Sequence, residues 1–353
     1  MKLGIIGLPQ SGKTTVFNAL THGDRPVVMS GGKFEVHTAV VDVPDPRVDE
    51  LSHLFNPKKT TYAKVTYADI AGLEGSAGGN ISGPLLTRLS QMDGFIHVVR
   101  NFDDPSVPHV METVDPQRDI EAMEGEFLIN DLILIERKLE RLAEEKKRNS
   151  RDKTEIARET TVFERLAAIL SEDTPLREID FSAEEKKIIS GYSFLSSKEL
   201  LIVLNLSEGQ TVPKIDYPCQ TCVVALQGQL EMEITQLAPE DALLFMQEYD
   251  IIEPSLNRMI RNSYALMKLQ SFFTVGEDEV RAWTVHQGAM APEAAGVIHS
   301  DLQKGFIRAE VIPYQELIAL GSMAEARSKG QLRLEGKAYV LHDGDIMHVR
   351  FNL

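Results

Sequence analysis

The stretch that most limits what this chain can fold into lies at its start. Gly7-Leu8-Pro9-Gln10-Ser11-Gly12-Lys13-Thr14 matches G-x-x-x-x-G-K-[ST], the loop that surrounds triphosphate oxygens with its own backbone N–H groups. Lys2 to Ile6 is a short apolar run suited to a buried strand. Thr14 to Leu20 predicts a helix that begins directly after the loop. A helix start offers unpaired N–H groups and the positive end of a dipole, so an anionic phosphate settles there. Gly7 and Gly12 permit backbone shapes that a Cβ would block. Lys13 is placed to reach the β and γ phosphates, and the Thr14 hydroxyl to ligate Mg2+. An ordinary glycine-rich turn is the competing reading, but it requires neither the Lys-Thr pair nor a helix on the far side.

With 353 residues, two or three domains are expected rather than one small core. A hydrophobic content of 43% with 25% charged residues is that of a globular protein. No apolar run is long enough to span a bilayer, and the first residues lack the layout of a signal peptide. The expectation is a cytoplasmic protein with no membrane partner. A formal net charge of −16 argues against sequence-blind affinity for nucleic acid, though not against a local basic patch; sequence-specific DNA is not an expected partner. Cys219 and Cys222 form Cys-Gln-Thr-Cys. A redox or zinc role is conceivable, but a structural zinc site wants four ligands and no second Cys pair exists, so two ordinary thiols beside a strand are the favoured expectation.

After the first helix, His22 to Lys33 reads as a loop, Val36 to Val43 as a strand and Asp49 to Phe55 as a short helix. Ala63 to Ala68 predicts another strand, which delivers Asp69-Ile70-Ala71-Gly72. A carboxylate at a strand's carboxyl end can hold Mg2+ through water, and the Gly72 N–H can sense the γ-phosphate. D-x-x-G means little alone; downstream of a phosphate loop it is a second signature of the same site. Glu74 to Gly83 is again glycine-rich. A helix (85–92) and a strand (95–99) continue a βαβ rhythm, which implies a parallel sheet covered by helices.

That rhythm breaks where Leu128, Leu132, Ile135, Leu139 and Leu142 recur at steps of four and three, a heptad seam. Ile156, Phe163, Leu166 and Leu170 form the complementary stripe. Lys146 to Lys153 lies between them, so the prediction is an antiparallel helical hairpin with a basic tip. That tip either solvates an exposed turn or meets RNA phosphate. Ser182-Ala183-Glu184-Glu185 is a capping box. Strands at 200–204 and 223–226 resume the sheet, helical segments follow, and residues 280–353 have the size and mixed pattern of a separate α+β module.

The loop after strand 200–204 reads Asn205-Leu206-Ser207-Glu208, where guanine-binding switches carry Asn-Lys-x-Asp. Glu208 is one methylene longer than Asp, and Leu206 supplies no charge. A misplaced acceptor leaves buried donors unpaired at about 1–3 kcal/mol each, enough to abolish a strong guanine preference. The Asn205 amide could match adenine instead. Relaxed or adenine-favouring specificity follows.

These features together resemble the YchF/Obg-like ATPase family of P-loop GTPase relatives. The resemblance rests on the phosphate loop, Asp69-Ile70-Ala71-Gly72-Leu73, Val43-Pro44-Asp45-Pro46-Arg47, His97-Val98-Val99-Arg100 and the Asn-x-x-Glu base motif. It extends through Val280 to Val285, Ala294 to His299, Lys304 to Val311 and Asp343 to His348. It implies a Ras-like nucleotide domain at 1–115 and 195–276, an inserted helical hairpin at 116–194, and a ubiquitin-like β-grasp (TGS) domain at 277–353. It also implies ATP hydrolysis in preference to GTP and association with the ribosome or ribosomal RNA. Leu73 stands where many GTPases carry a water-orienting Gln, so slow turnover is expected; in the family a loop His is suspected of that role, and His109 matches it.

The chain departs from the family at Gly32-Lys33-Phe34-Glu35-Val36, where Cys-Thr-Ile-Glu-Pro is usual, and at Val224-Ala225-Leu226-Gln227 in the fifth motif. The nucleotide-binding set is therefore Gln10, Ser11, Gly12, Lys13, Thr14, Thr15, Asn205, Leu206 and Glu208. Thr14 and Asp69 are the metal candidates; Lys13, Gly72 and His109 are the catalytic ones. A slow Mg2+-dependent ATPase switch is the leading expectation. A nucleotide-binding scaffold acting through its hairpin and TGS domain, or a GTP-binding protein, are the alternatives.

Overall fold

The computed structural model describes residues 1–21, 23, 36–70, 81–148, 151–249 and 251–352. Gly72, Leu73, the first-switch residues 32–35 and most of the two glycine-rich loops lie outside the described residues.

Strands β1 (Lys2–Ile6), β2 (Val36–Asp42), β3 (Lys59–Thr61), β4 (Lys64–Ile70), β5 (Gly94–Arg100), β6 (Glu199–Asn205), β7 (Val223–Leu226), β8 (Leu269–Thr274), β9 (Glu279–His286), β10 (Phe306–Pro313), β11 (Arg333–Glu335) and β12 (Asp345–Phe351) form two sheets. The first runs β2-β4-β1-β5-β6-β7, and its β4-β1, β1-β5, β5-β6 and β6-β7 pairs are parallel. Phe95-Ile96-His97-Val98-Val99 and Leu200-Leu201-Ile202-Val203-Leu204 are buried throughout. Continuous apolar runs are what a sheet covered on both faces requires. Parallel pairing also explains why motifs far apart in sequence meet. With Ile5 opposite Asp69, Ile6 opposite His97 and Arg100 opposite Asn205, the carboxyl ends of β1, β4, β5 and β6 share one edge, where open α/β sheets bind ligands.

Contacts divide the chain into two compact units, residues 1–39 with 66–256, and 40–65 with 257–353. The second unit begins twenty residues before the expected boundary at 277 and takes in 40–65. The first unit contains helices α1 (Lys13–Thr21), α3 (Gly83–Ser90), α4 (Pro116–Arg148), α5 (Lys153–Ser171), α6 (Ala183–Ile189) and α7 (Gly228–Gln236), and the second α2 (Pro46–Phe55).

The hairpin forms as its heptads require. Leu128, Ile135, Leu142, Ile156, Phe163, Leu166 and Leu170 are buried in one cluster, and Leu132 and Leu139 pack against it. Each such side chain contributes about 1.5–3 kcal/mol when fully withdrawn from water. Asp152 caps α5 through the N–H groups of Thr154 and Glu155, and the Ser182–Glu185 capping box opens α6. At the root, Asp131 is fully buried and accepts hydrogen bonds from Leu195 N (2.9 Å), Ser196 N (2.8 Å) and Ser196 Oγ (2.7 Å). Burial raises its pKa, and those donors oppose the rise. Near the tip, Arg151 pairs with Glu145, Glu155 and Glu159, and Arg148 with Glu144. Part of the basic charge there is thus neutralised by the hairpin's own carboxylates.

The second unit is a mixed sheet in the order β11-β10-β12-β8-β9-β3. The helix Ala291–Ile298 places Ala291, Ala294 and Ala295 in a cluster with Phe272, Ala309, Val311 and Met347. Strands β8 and β3 belong to this sheet, β8 antiparallel to β9 and β3 parallel to it. Arg47, the second residue of α2, pairs with Asp45 and Asp343 at 2.8 and 2.7 Å, and its guanidinium carbon lies 5.1 Å from the Phe273 ring centroid.

Candidate functional site

The site is built from the loop that leaves β1. Gly7 and Gly12 have φ of 150° and 95°. A Cβ on Gly7 would sit 2.3 Å from Val98 O, and one on Gly12 would sit 2.1 Å from Asn205 Nδ2. Gln10 also has positive φ, 61°, and Ser11 N donates to Leu8 O at 3.3 Å within the loop. Lys13 arches back over the loop, its Nζ donating to Gly7 O at 3.0 Å and Leu8 O at 2.8 Å. Beside it the Thr14 hydroxyl donates to Asp69 Oδ2 at 3.3 Å. The two expected metal ligands, 55 positions apart in sequence, are therefore neighbours because β4 pairs with β1. Thr15 follows in α1. The buried Ser11 holds the loop's far side, its carbonyl accepting from Asn205 Nδ2 at 3.0 Å.

Asn205 does not present its amide to a base. It is 4% exposed, and its Oδ1 accepts from Gly228 N at 3.0 Å. Both ends of the amide are taken by backbone, so it clamps the phosphate loop to the turn opening α7. The adenine match expected of Asn205 gives way to this clamping geometry. Leu206 is buried, its N–H donating to Leu226 O at 2.9 Å, whereas Glu208 is exposed. Gln210, which sequence reasoning missed, braces this loop: its Oε1 accepts from Ser207 N at 3.0 Å and its Nε2 donates to Asn101 O at 2.7 Å. Gly228 was missed as well; a Cβ there would lie 2.8 Å from Asn205 Oδ1. Its position directly after the fifth-motif residues was the available signal.

His97 is fully buried on β5, and among the described residues neither ring nitrogen has a hydrogen-bond partner. Burial, assisted by Lys13, pushes its pKa down to about 3, so the ring is neutral. His109 is also buried. Its Nε2 lies 2.8 Å from Asp119 Oδ2 and its Nδ1 accepts from Met111 N at 3.0 Å. Arg118 holds the other oxygen of Asp119. Both ring nitrogens are engaged at the start of α4, so this arrangement leaves His109 none with which to orient water.

Cys219 and Cys222 are joined in a disulfide, with Cα atoms 5.2 Å apart. This corrects the expectation of two thiols; the turn Gln220–Cys222, closed by Cys222 N donating to Cys219 O at 3.0 Å, brings the sulfurs together.

A phosphate loop, a Thr–Asp pair beside its lysine, and an asparagine clamp on a parallel sheet define a P-loop nucleoside triphosphatase. Residues 269–352 match the family YchF-GTPase_C, described as "Protein of unknown function (DUF933)". The "Ribosome-binding ATPase YchF" of Bacillus subtilis (strain 168) is 38% identical, over 99% of both chains. That of Haemophilus influenzae (strain ATCC 51907 / DSM 11121 / KW20 / Rd) is 39% identical, over 100% of this chain and 99% of its own. The solved "Structure of the Schizosaccharomyces pombe YchF GTPase" superposes with a TM-score of 0.84 at 31% identity, covering 99% of this chain and 97% of that one. The chain belongs to the YchF family.

Proposed function

We propose that the chain is a slow, Mg2+-dependent ATPase that prefers ATP to GTP and acts as a conformational switch on the ribosome in the cytoplasm. The observation that carries this reading is the convergence of Lys13, Thr14 and Asp69 at the carboxyl edge of one parallel sheet. In it, Gln10 to Thr15 hold the phosphates, Lys13 neutralises β and γ oxygens, and the Gly72 N–H senses the γ-phosphate. Thr14 and Asp69 fit Mg2+, a hard cation that takes oxygen ligands and keeps several waters. Among the described residues no cluster of three His, Cys, Asp or Glu side chains could hold a metal, so phosphates and water would complete the set. The ion, when bound, neutralises charge developing on the transferring phosphoryl group.

Preference for ATP follows from Leu206 and Glu208, which supply neither the lysine stem nor the short carboxylate that guanine recognition uses. The relatives' name, ribosome-binding ATPase, supports the ribosomal partner. We assign contact with it to the hairpin at 116–194 and the TGS region at 277–353. Among the described residues no helix is long and apolar enough to cross a membrane.

Single-turnover hydrolysis of ATP and GTP, with and without ribosomes, tests the reading. ATP turnover should exceed GTP turnover, rise with ribosomes and vanish in Lys13→Ala. The second reading, a nucleotide-binding scaffold with little hydrolysis, is favoured by the engagement of both His109 nitrogens. It predicts binding without ribosome-stimulated turnover.

A further inference from the structure

We infer that Cys219 and Cys222 form a redox-active site whose substrate is an external dithiol, and that their bond tightens the nucleotide clamp. Cys222 is buried and Cys219 is partly exposed, so one sulfur is open to attack and the other is sheltered. A cysteine pair spaced C-x-x-C in a cytoplasmic protein is characteristically catalytic or redox-sensing rather than a permanent staple. This inference rests on the cytoplasmic, nucleotide-binding reading above.

The coupling route is short. Cys222 directly precedes β7, which has four residues and lies at the end of its sheet, where its described strand partner is β6. A strand so short and so placed is weakly held by its own ladder. The disulfide pins one end of it. At the other end Leu226 O accepts from Leu206 N, and Gly228 N, two residues on, holds Asn205 Oδ1. Asn205 in turn holds Ser11 of the phosphate loop. A change in where β7 begins therefore reaches the phosphate loop through six residues of chain and one amide.

In the exchange, a thiolate of the external dithiol attacks Cys219 Sγ. The Cys219–Cys222 bond breaks, and its electron pair leaves on Cys222 Sγ, which takes up a proton. The reductant's second thiolate then attacks its own sulfur in the mixed disulfide, releasing Cys219 Sγ, which is protonated in turn. Two electrons and two protons have moved, and the reductant ends as a disulfide. Without the covalent link the start of β7 loosens and the clamp at Gly228 weakens.

The test uses the full chain equilibrated in dithiothreitol buffers of defined ratio, with thiols counted by alkylation and mass. Labelled ATP is titrated at each ratio, and amide exchange is followed at residues 223–228. The oxidised chain should bind ATP about fivefold or more tightly than the reduced one, the lower end of ordinary coupling between sites. The exchange should quicken on reduction. Cys219→Ser/Cys222→Ser should match the reduced chain and ignore the buffer ratio. Equal affinity and equal exchange in both states would overturn the inference, as would two free thiols persisting in fully oxidised buffer. If no nucleotide binds in either state, the proposed function fails, while the exchange at 223–228 still decides the redox site.

Discussion

Replacing Asn205 with alanine separates two roles that sequence alone leaves merged. In the structure the side chain serves two buried backbone groups, Ser11 O and Gly228 N, each at 3.0 Å. Truncation orphans both. An unsatisfied buried polar group costs about 1–3 kcal/mol, so the ligand-free chain should lose roughly 2–6 kcal/mol of stability in the nucleotide unit. Asn205→Asp should do no better: it keeps the acceptor for Gly228 N–H but sets an acceptor against the Ser11 carbonyl. Urea unfolding of the ligand-free variants, with ATP titration in parallel, gives both quantities. A clamp lowers stability and affinity together, because the loop is already displaced before nucleotide arrives. A residue that only touches the base would lower affinity and leave the empty protein intact. Ligand-free stability within about 0.5 kcal/mol of wild type, the usual range for inconsequential sites, would refute the clamp.

Three further outcomes follow from the geometry. Lys13→Ala should weaken ATP binding roughly 10- to 150-fold, the equivalent of about 1.5–3 kcal/mol for a charged hydrogen bond; titration checks it. His97, with its pKa pushed down to about 3 from 6.5, is neutral when folded, so its contribution is complete above pH 6.5 and is lost as pH falls toward 3. Between pH 7 and pH 5 that amounts to about 2 kcal/mol. His97→Gln, which cannot titrate, should flatten the stability–pH curve by that amount, and an unchanged curve contradicts the assignment. Asp131→Ala should strand the donors of Leu195 and Ser196, costing about 3 kcal/mol or more and accelerating exchange at those two amides, with Asp131→Asn falling between.

The parts of the molecule that were legible from residues alone are those where local chemistry decides. The phosphate loop announces itself because only glycine tolerates the φ values at 7 and 12, and the hairpin because its heptads place Ile135, Leu142, Phe163 and Leu166 on facing stripes. The Ser182 capping box is likewise written in four residues. What stayed hidden depends on partners distant in sequence. Nothing local to Asn205 says that its amide will be consumed by Ser11 and Gly228, because that follows from where parallel strands deliver their ends. Lys59-Thr60-Thr61 is too short and polar to read as a strand, and it becomes one only beside Glu279 to Arg281. Strand β8 was invisible as part of the second sheet for the same reason: its mixed run, Leu-Gln-Ser-Phe-Phe-Thr, suits either unit until β9 and β12 claim it. The pairing of Cys219 with Cys222 turns on a short helical turn whose geometry composition does not disclose.

Calorimetric titration of the full chain with MgATP and MgGTP bears most directly on the account. It should find ATP binding more tightly than GTP, with both weakened roughly 10- to 150-fold in Lys13→Ala. Heat from GTP alone, or from neither nucleotide, would contradict it.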